Sequence, residues 1–144
     1  MDKDIRAGEI AAALPQAFDA GLYFVGRLRT PWATRAECPH YGALDGPLCR
    51  IEIDDRWRPA LLGLEGREFL QVLYFMHQAR RDLLVQTPRT RAAPSGTFAI
   101  RSPVRPNPIA LSRVRLEKVE NGVLFVRGLD CIDGTPLVDI KPDR

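Results

Sequence analysis

The sequence predicts a mainly β protein, a small closed barrel with short flanking helices. Three observations lead there. The apolar residues fall in many short runs with β-branched and aromatic content, bounded by Gly, Pro, Asn and Asp. Glu120-Asn121-Gly122 stands between two alternating runs and reads as a two-residue hairpin turn. Strands and helices do not alternate along the chain, and no GxGxxG follows a strand, so a doubly wound nucleotide-binding domain is not expected.

The elements follow in order. Asp4 to Leu14 carries Ile5, Ile10, Ala13 and Leu14 among good helix formers and is stopped by Pro15, so residues 1–21 read as a helical extension ahead of a barrel domain over 22–144. Leu22 to Leu28 reads as a strand. Thr30 to Pro47 is long, irregular and dense in turn residues, and a stretch of that kind is more often functional than idle. Leu48 to Ile53 alternates as a strand, and Pro59 to Glu68 reads as a turn with a short helix. Phe69 to Met76 is the most apolar run; periodicity fits a core strand or a buried helix, and its aromatic and β-branched content favours the strand. Arg80 to Gln86 is a second strand or a turn, and Arg89 to Gly96 a loop. From Ile109 the alternation changes phase, with Ile109 and Leu111 in one phase and Val114 and Leu116 in the other, which predicts a bulge near Ser112 or Arg113. Val123 to Arg127 returns from the hairpin, Gly128 to Pro136 is a tight acidic loop, and Leu137 to Ile140 closes the chain.

A chain of 144 residues with 45% hydrophobic and 27% charged residues has an ordinary globular composition and can bury one proper core. No apolar run is long enough to suggest a membrane span. Three widely spaced cysteines, Cys38, Cys49 and Cys131, support neither a zinc finger nor a disulfide framework, and imply a reducing cytoplasm. The net charge of +3 hides an uneven distribution: no acid lies between Asp82 and Glu117, while Arg89, Arg91, Arg101, Arg105, Arg113 and Arg115 do. Arginine suits bidentate contact with phosphate and stacking on bases. The stripe therefore points to nucleic acid, against the plain alternative of a solvated basic face.

Two stretches carry possible chemistry. In Arg101-Ser-Pro-Val-Arg-Pro-Asn-Pro108, Pro removes backbone donors and pushes each preceding residue to extended conformations. The result is a rigid loop, either a connector or a preorganised wall for a ligand. Asp130, Asp133 and Asp139 crowd the C-terminal loop and strand, where they bind a cation, an amine or a ribose, or simply cap turns. His77 and Gln78 end the most apolar run, and His40 lies in the long loop; no Ser-His-Asp order and no GxSxG elbow is present.

Gly96-Thr-Phe-Ala-Ile-Arg-Ser-Pro-Val-Arg-Pro-Asn-Pro-Ile-Ala-Leu-Ser112, followed by Leu129-Asp-Cys-Ile-Asp-Gly-Thr-Pro-Leu-Val-Asp-Ile-Lys-Pro142, resembles the TsaA-like (TrmO) family. Val25-Gly26 to Thr30-Pro31 and Leu73-Tyr-Phe-Met-His-Gln78 extend the resemblance to about residues 22–142. It implies a β-barrel, S-adenosylmethionine-dependent methyltransferase that acts on N6 of threonylcarbamoyl-adenosine beside the tRNA anticodon. It also implies a homodimer with the cofactor near the subunit interface. Carried over, the cofactor residues are Pro39, His40, Tyr41, His77, Gln78, Arg101, Ile109, Ala110, Leu111, Leu129, Asp130, Cys131, Ile132 and Asp133. The family's Pro-Arg-Gln triplet falls on Pro39-His40-Tyr41, where only the Pro matches. Longer members continue past the Asp-Ile-Lys-Pro motif whereas this sequence ends at Arg144, so the resemblance implies the cofactor more directly than the tRNA.

Methyl transfer depends mainly on alignment of nucleophile and methyl group in a dry site. On that basis Asn107 is expected to orient the acceptor amine through its carbonyl, and Asp133 to assist catalysis or, with Asp130, to hold the cofactor's ammonium or ribose. Arg89, Arg91, Arg105, Arg113 and Arg115 are expected to hold RNA phosphates. The alternatives are a non-catalytic barrel that binds S-adenosylmethionine or RNA, and a methyltransferase of small molecules.

Overall fold

The computed structural model describes residues 5–90 and 93–144. Six strands close a barrel in the order β2-β3-β8-β7-β4-β9. They are β2 (Gly26–Arg29), β3 (Cys49–Ile53), β4 (Phe69–Phe75), β7 (Ile109–Glu120), β8 (Val123–Arg127) and β9 (Thr135–Pro142). The antiparallel pairings run β2–β3, β3–β8, β8–β7, β4–β9 and β9–β2, and β7 beside β4 completes the ring, so the barrel itself has no end strand. Alternation along each strand sends one face inward. Leu28, Ile51, Val72, Val114, Leu124, Val126 and Leu137 are fully buried there. The expected mainly β barrel is the observed architecture.

Two compact units divide the chain. Residues 22–76 and 110–144 form the barrel unit, and residues 1–21 with 77–109 the other. The second unit carries a three-stranded sheet, β1 (Ile10–Ala11), β5 (Leu83–Gln86) and β6 (Ser95–Gly96), in the order β1-β5-β6. Its central strand falls within Arg80–Gln86, expected as a strand or a turn, whereas β1 and β6 were not foreseen, because a two-residue strand has no periodicity to detect.

The helix expected over Asp4–Leu14 does not form in its described part. Glu9 N–H donates to the Arg6 carbonyl at 3.0 Å, Gly8 takes φ +84°, and Ile10 pairs with Val85. The Glu9 carboxylate accepts the main-chain N–H groups of Arg6 and Thr87, both at 2.8 Å. Tertiary pairing and a side chain that satisfies two backbone donors outweigh a weak helix propensity. The only helical pieces among the described residues are 3₁₀ turns at Arg35–Glu37, Asp55–Leu61 and Thr97–Ala99, so the short helix expected over Pro59–Glu68 also shrinks and moves back.

The hairpin forms as expected, with Asn121 at φ 52° and Gly122 at φ 76°. Two left-handed residues match the twist of the flanking strands. The bulge is real but misplaced. Ala110, Ser112, Val114 and Leu116 share one phase of burial, and the register against β8 slips between Leu116, opposite Val126, and Lys118, opposite Phe125. Leu111 is an exposed apolar residue on the outer face, and that is what suggested an earlier slip.

Candidate functional site

Where β8 runs out and β7 begins, three polar side chains from separate elements meet. Tyr74, an inward position of β4, is 1% exposed. Its hydroxyl lies 2.6 Å from Asp130 Oδ1 and 2.6 Å from Ser112 Oγ. A carboxylate only accepts, so Tyr74 donates to Asp130 and Ser112 donates to Tyr74. Burial first, and then the Asp130 charge, push the Tyr74 phenol well above its usual range, so it stays protonated. The second Asp130 oxygen has no partner among the described residues, and the residue is half-buried.

The loop that carries Asp130 is held by main-chain bonds. Thr30 Oγ1 donates to the Cys131 carbonyl at 2.8 Å, Asp133 N–H to Trp32 at 2.7 Å and Gly134 N–H to Leu28 at 2.8 Å. Thr30 N–H donates to Asp133 Oδ1 at 3.1 Å, so that carboxylate fastens the end of β2 to its own loop. Leu129 and Cys131 are buried, Ile132 is half-buried, and burial pushes the Cys131 thiol up to about 12. Burial and the Asp130 charge also raise Cys38.

The long loop after β2 reaches this place through glycine. A Cβ on Gly42 would lie 1.7 Å from the Gly128 carbonyl oxygen, so only Gly allows the two backbones to touch. That contact brings the segment ending in Pro39, His40 and Tyr41, all exposed, alongside the segment that begins Leu129.

In the other unit, the Pro-rich loop is gripped by Arg81. Its Nε donates to the Pro106 carbonyl at 2.7 Å and its Nη2 to Asn107 Oδ1 at 3.2 Å. Gln86, 6% exposed, donates to the Val104 carbonyl at 2.6 Å and to Thr97 Oγ1 at 2.8 Å. The rigidity expected from proline is thus reinforced by side chains. His77, Gln78, Arg101 and Asn107 are exposed in this unit, and Ile109 is half-buried. Ala110 and Leu111, half-buried and exposed respectively, belong to the barrel unit with Asp130.

The arginine stripe is distributed over both units. Arg105 Nη1 donates to the Ile100 and Ser102 carbonyls, both at 3.0 Å, and so stiffens its own loop. Arg113 pairs with Asp143 at 2.9 Å and lies 3.7 Å over the Phe69 ring, with Arg115 5.5 Å from the same ring. Arg89 is exposed, and Arg91 lies outside the described residues.

Sequence reasoning missed Tyr74, Ser112 and Arg81. A tyrosine at an inward position of an alternating strand was the available signal, since a buried phenol needs a partner. Nothing local marks Arg81, which acts on residues far along the chain.

A barrel of six strands closed on itself, with Tyr74, Ser112 and Asp130 joined by hydrogen bonds, defines a small β-barrel domain with a buried polar network. The chain belongs to the tRNA-methyltransferase O N-terminal-domain family, whose profile matches residues 27–143. It is 49% identical over 140 residues to a probable S-adenosyl-L-methionine-binding protein VirR of Rhizobium radiobacter, covering 97% of this chain and 80% of that one. It is 44% identical over 86 residues to the mouse tRNA (adenine(37)-N6)-methyltransferase, covering 58% of this chain and 20% of that one. A crystal structure of TrmO from Pseudomonas aeruginosa superposes with a TM-score of 0.71 at 33% identity, over 88% of this chain and 57% of that one. The chain therefore spans little more than half of that solved relative and a fifth of the mouse enzyme.

The residues present suit S-adenosylmethionine. The barrel unit offers a half-buried carboxylate with one oxygen unengaged for an ammonium or ribose hydroxyl, apolar Ala110 and Ile132, and the exposed ring of Tyr41 for a flat base. No helix among the described residues is long and apolar enough to cross a membrane.

Proposed function

We propose that this protein is an S-adenosylmethionine-dependent tRNA methyltransferase that methylates N6 of a threonylcarbamoyl-adenosine beside the anticodon. The single observation that carries the reading is the family match across the whole barrel, residues 27–143, which takes in the Asp130 loop and the Pro-rich loop. The cofactor residues are Pro39, His40, Tyr41, His77, Gln78, Arg101, Ile109 to Leu111 and Leu129 to Asp133. Bound there, S-adenosylmethionine supplies an electrophilic methyl group on a sulfonium. Asp130 binds a donor of the cofactor with the oxygen that Tyr74 leaves open. Tyr74, kept protonated, holds that carboxylate in one orientation. The Asp133 carboxylate takes part as a loop fastener and as a candidate acceptor for the leaving proton. Asn107 contacts the methyl acceptor from a loop that has little freedom left to lose. The protein works in the cytoplasm as a homodimer with the cofactor near the subunit interface.

Calorimetric titration with S-adenosylmethionine and S-adenosylhomocysteine tests the cofactor, and transfer of labelled methyl to tRNA tests the reaction. Micromolar binding of both, with label recovered in N6-methyl-threonylcarbamoyl-adenosine, is the expected result. No binding overturns the reading. A second reading has its own support: the relatives covered over four-fifths of both chains are named S-adenosyl-L-methionine-binding proteins, whereas the mouse methyltransferase is matched over a fifth of its length. Cofactor binding without transfer to any tRNA would favour that module.

The arginines give a separate prediction. Log affinity for tRNA should fall linearly with log salt, by about 0.7 to 0.9 per phosphate contact. Arg89→Ala and Arg115→Ala should each reduce that slope by nearly one unit. A flat salt response removes RNA as the substrate.

A further inference from the structure

The geometry points to Arg81 as a positioning residue that turns the Asn107 carboxamide so that its Nδ2 group, rather than its oxygen, meets the methyl acceptor. The inference rests on the reading that places Asn107 at the acceptor.

A guanidinium carries donors only, so the carboxamide atom that faces it must be the oxygen. Arg81 Nη2 donates to Asn107 Oδ1 at 3.2 Å while Nε donates to the Pro106 carbonyl at 2.7 Å. One planar fork thus holds two successive residues of the loop, a task a lysine ammonium cannot reproduce. The Arg81 guanidinium in turn lies 4.8 Å from the centre of the Phe18 ring, in the same unit. The main chain is constrained as well: Asn107 stands between Pro106 and the buried Pro108, and its carbonyl accepts Ile109 N–H at 2.7 Å. An exposed asparagine ordinarily samples both amide orientations; this one is held in one of them.

Two donors on Nδ2 remain without a partner among the described residues. They suit an acceptor atom next to the nucleophilic nitrogen, a carbonyl oxygen or an unprotonated ring nitrogen. The Oδ1 atom, already polarised by Arg81, is the poorer partner for a substrate amine.

Three variants test this with tRNA as acceptor. Asn107→Asp keeps an oxygen for Arg81, now charge-assisted, and has no donor. Asn107→Ala has neither. Arg81→Lys loses the fork. All three should retain wild-type affinity for S-adenosylmethionine. Both Asn107 variants should lose about 100-fold in kcat, the scale expected of a misplaced reacting group. Arg81→Lys should lower kcat without changing the cofactor's KM. Full activity in Asn107→Asp with loss in Asn107→Ala overturns the donor assignment and leaves Asn107 in the site. Full activity in Asn107→Ala overturns both. An activity-independent readout is the Asn107 side-chain amide pair in a ¹H–¹⁵N spectrum. It should shift and broaden in Arg81→Lys, and an unchanged pair overturns the role of Arg81 even where no methyl is transferred.

Discussion

Gly42→Ala should destabilise the protein by about 3 kcal/mol or more, the upper range for overpacked sites, and should abolish cofactor binding. A Cβ there would sit 1.7 Å from the Gly128 carbonyl oxygen and 2.3 Å from its carbon. Both are backbone atoms, and Gly128 is itself held at φ +118° with Arg113 and Val114 behind it. Nothing at the contact can swing away, so the loop of Pro39–Tyr41 must lift off the segment of Leu129–Asp133. Gly21→Ala is the control, since nothing lies within 4 Å of a Cβ at that position. Urea unfolding and calorimetry would give both numbers. A Gly42→Ala protein with wild-type midpoint and cofactor affinity would mean that the two segments do not depend on each other.

Tyr74→Phe should cost about 1 to 3 kcal/mol, the range for leaving a buried polar group unpaired. The loss exceeds that of one hydrogen bond because Ser112 and Asp130 both lose their partner. Cofactor affinity should fall as well, because Asp130 is no longer held in one orientation. The charge contribution can be read separately. Asp130→Asn removes the carboxylate, and the Tyr74 phenol should then titrate at lower pH in an ultraviolet titration, though still above a free tyrosine because burial is the larger cause. The sign for stability follows from the raised folded value. The unfolded chain loses this proton near pH 10 and the folded chain does not. The contribution of Tyr74 is therefore complete below about pH 10, and stability should decline as pH rises beyond it. A Tyr74→Phe protein that shows the same decline between about pH 10 and 11 as the wild type would assign the effect to other groups.

Much of the barrel was legible because its signals are local. Phe69 to Phe75 and Cys49 to Ile53 show period-two burial that their side chains alone announce. Asn121-Gly122 is read from two residues because few others accept two consecutive positive φ angles. The Gly128–Pro136 loop and the Pro-rich loop were legible as candidates through motif resemblance, and the stiffness of the latter through proline itself.

What the sequence determined by itself was thus the class of fold, the hairpin and the two candidate loops. Only the tertiary structure decided the rest. Residues 5–14 had the composition of a helix, yet Ile10 pairs with Val85 and Glu9 satisfies backbone donors as remote as Thr87. Tyr74, Ser112 and Asp130 are separated by 38 and 18 residues, and nothing in their neighbours announces that one proton network joins them. Arg81 looked like one more positive charge, whereas its fork closes on a loop 25 residues away. The physical reason is the same in each case. Propensity and alternation act between neighbours, but hydrogen bonds and charge pairs are chosen by which atoms the closed chain brings within 3 Å, and that proximity exists only after folding.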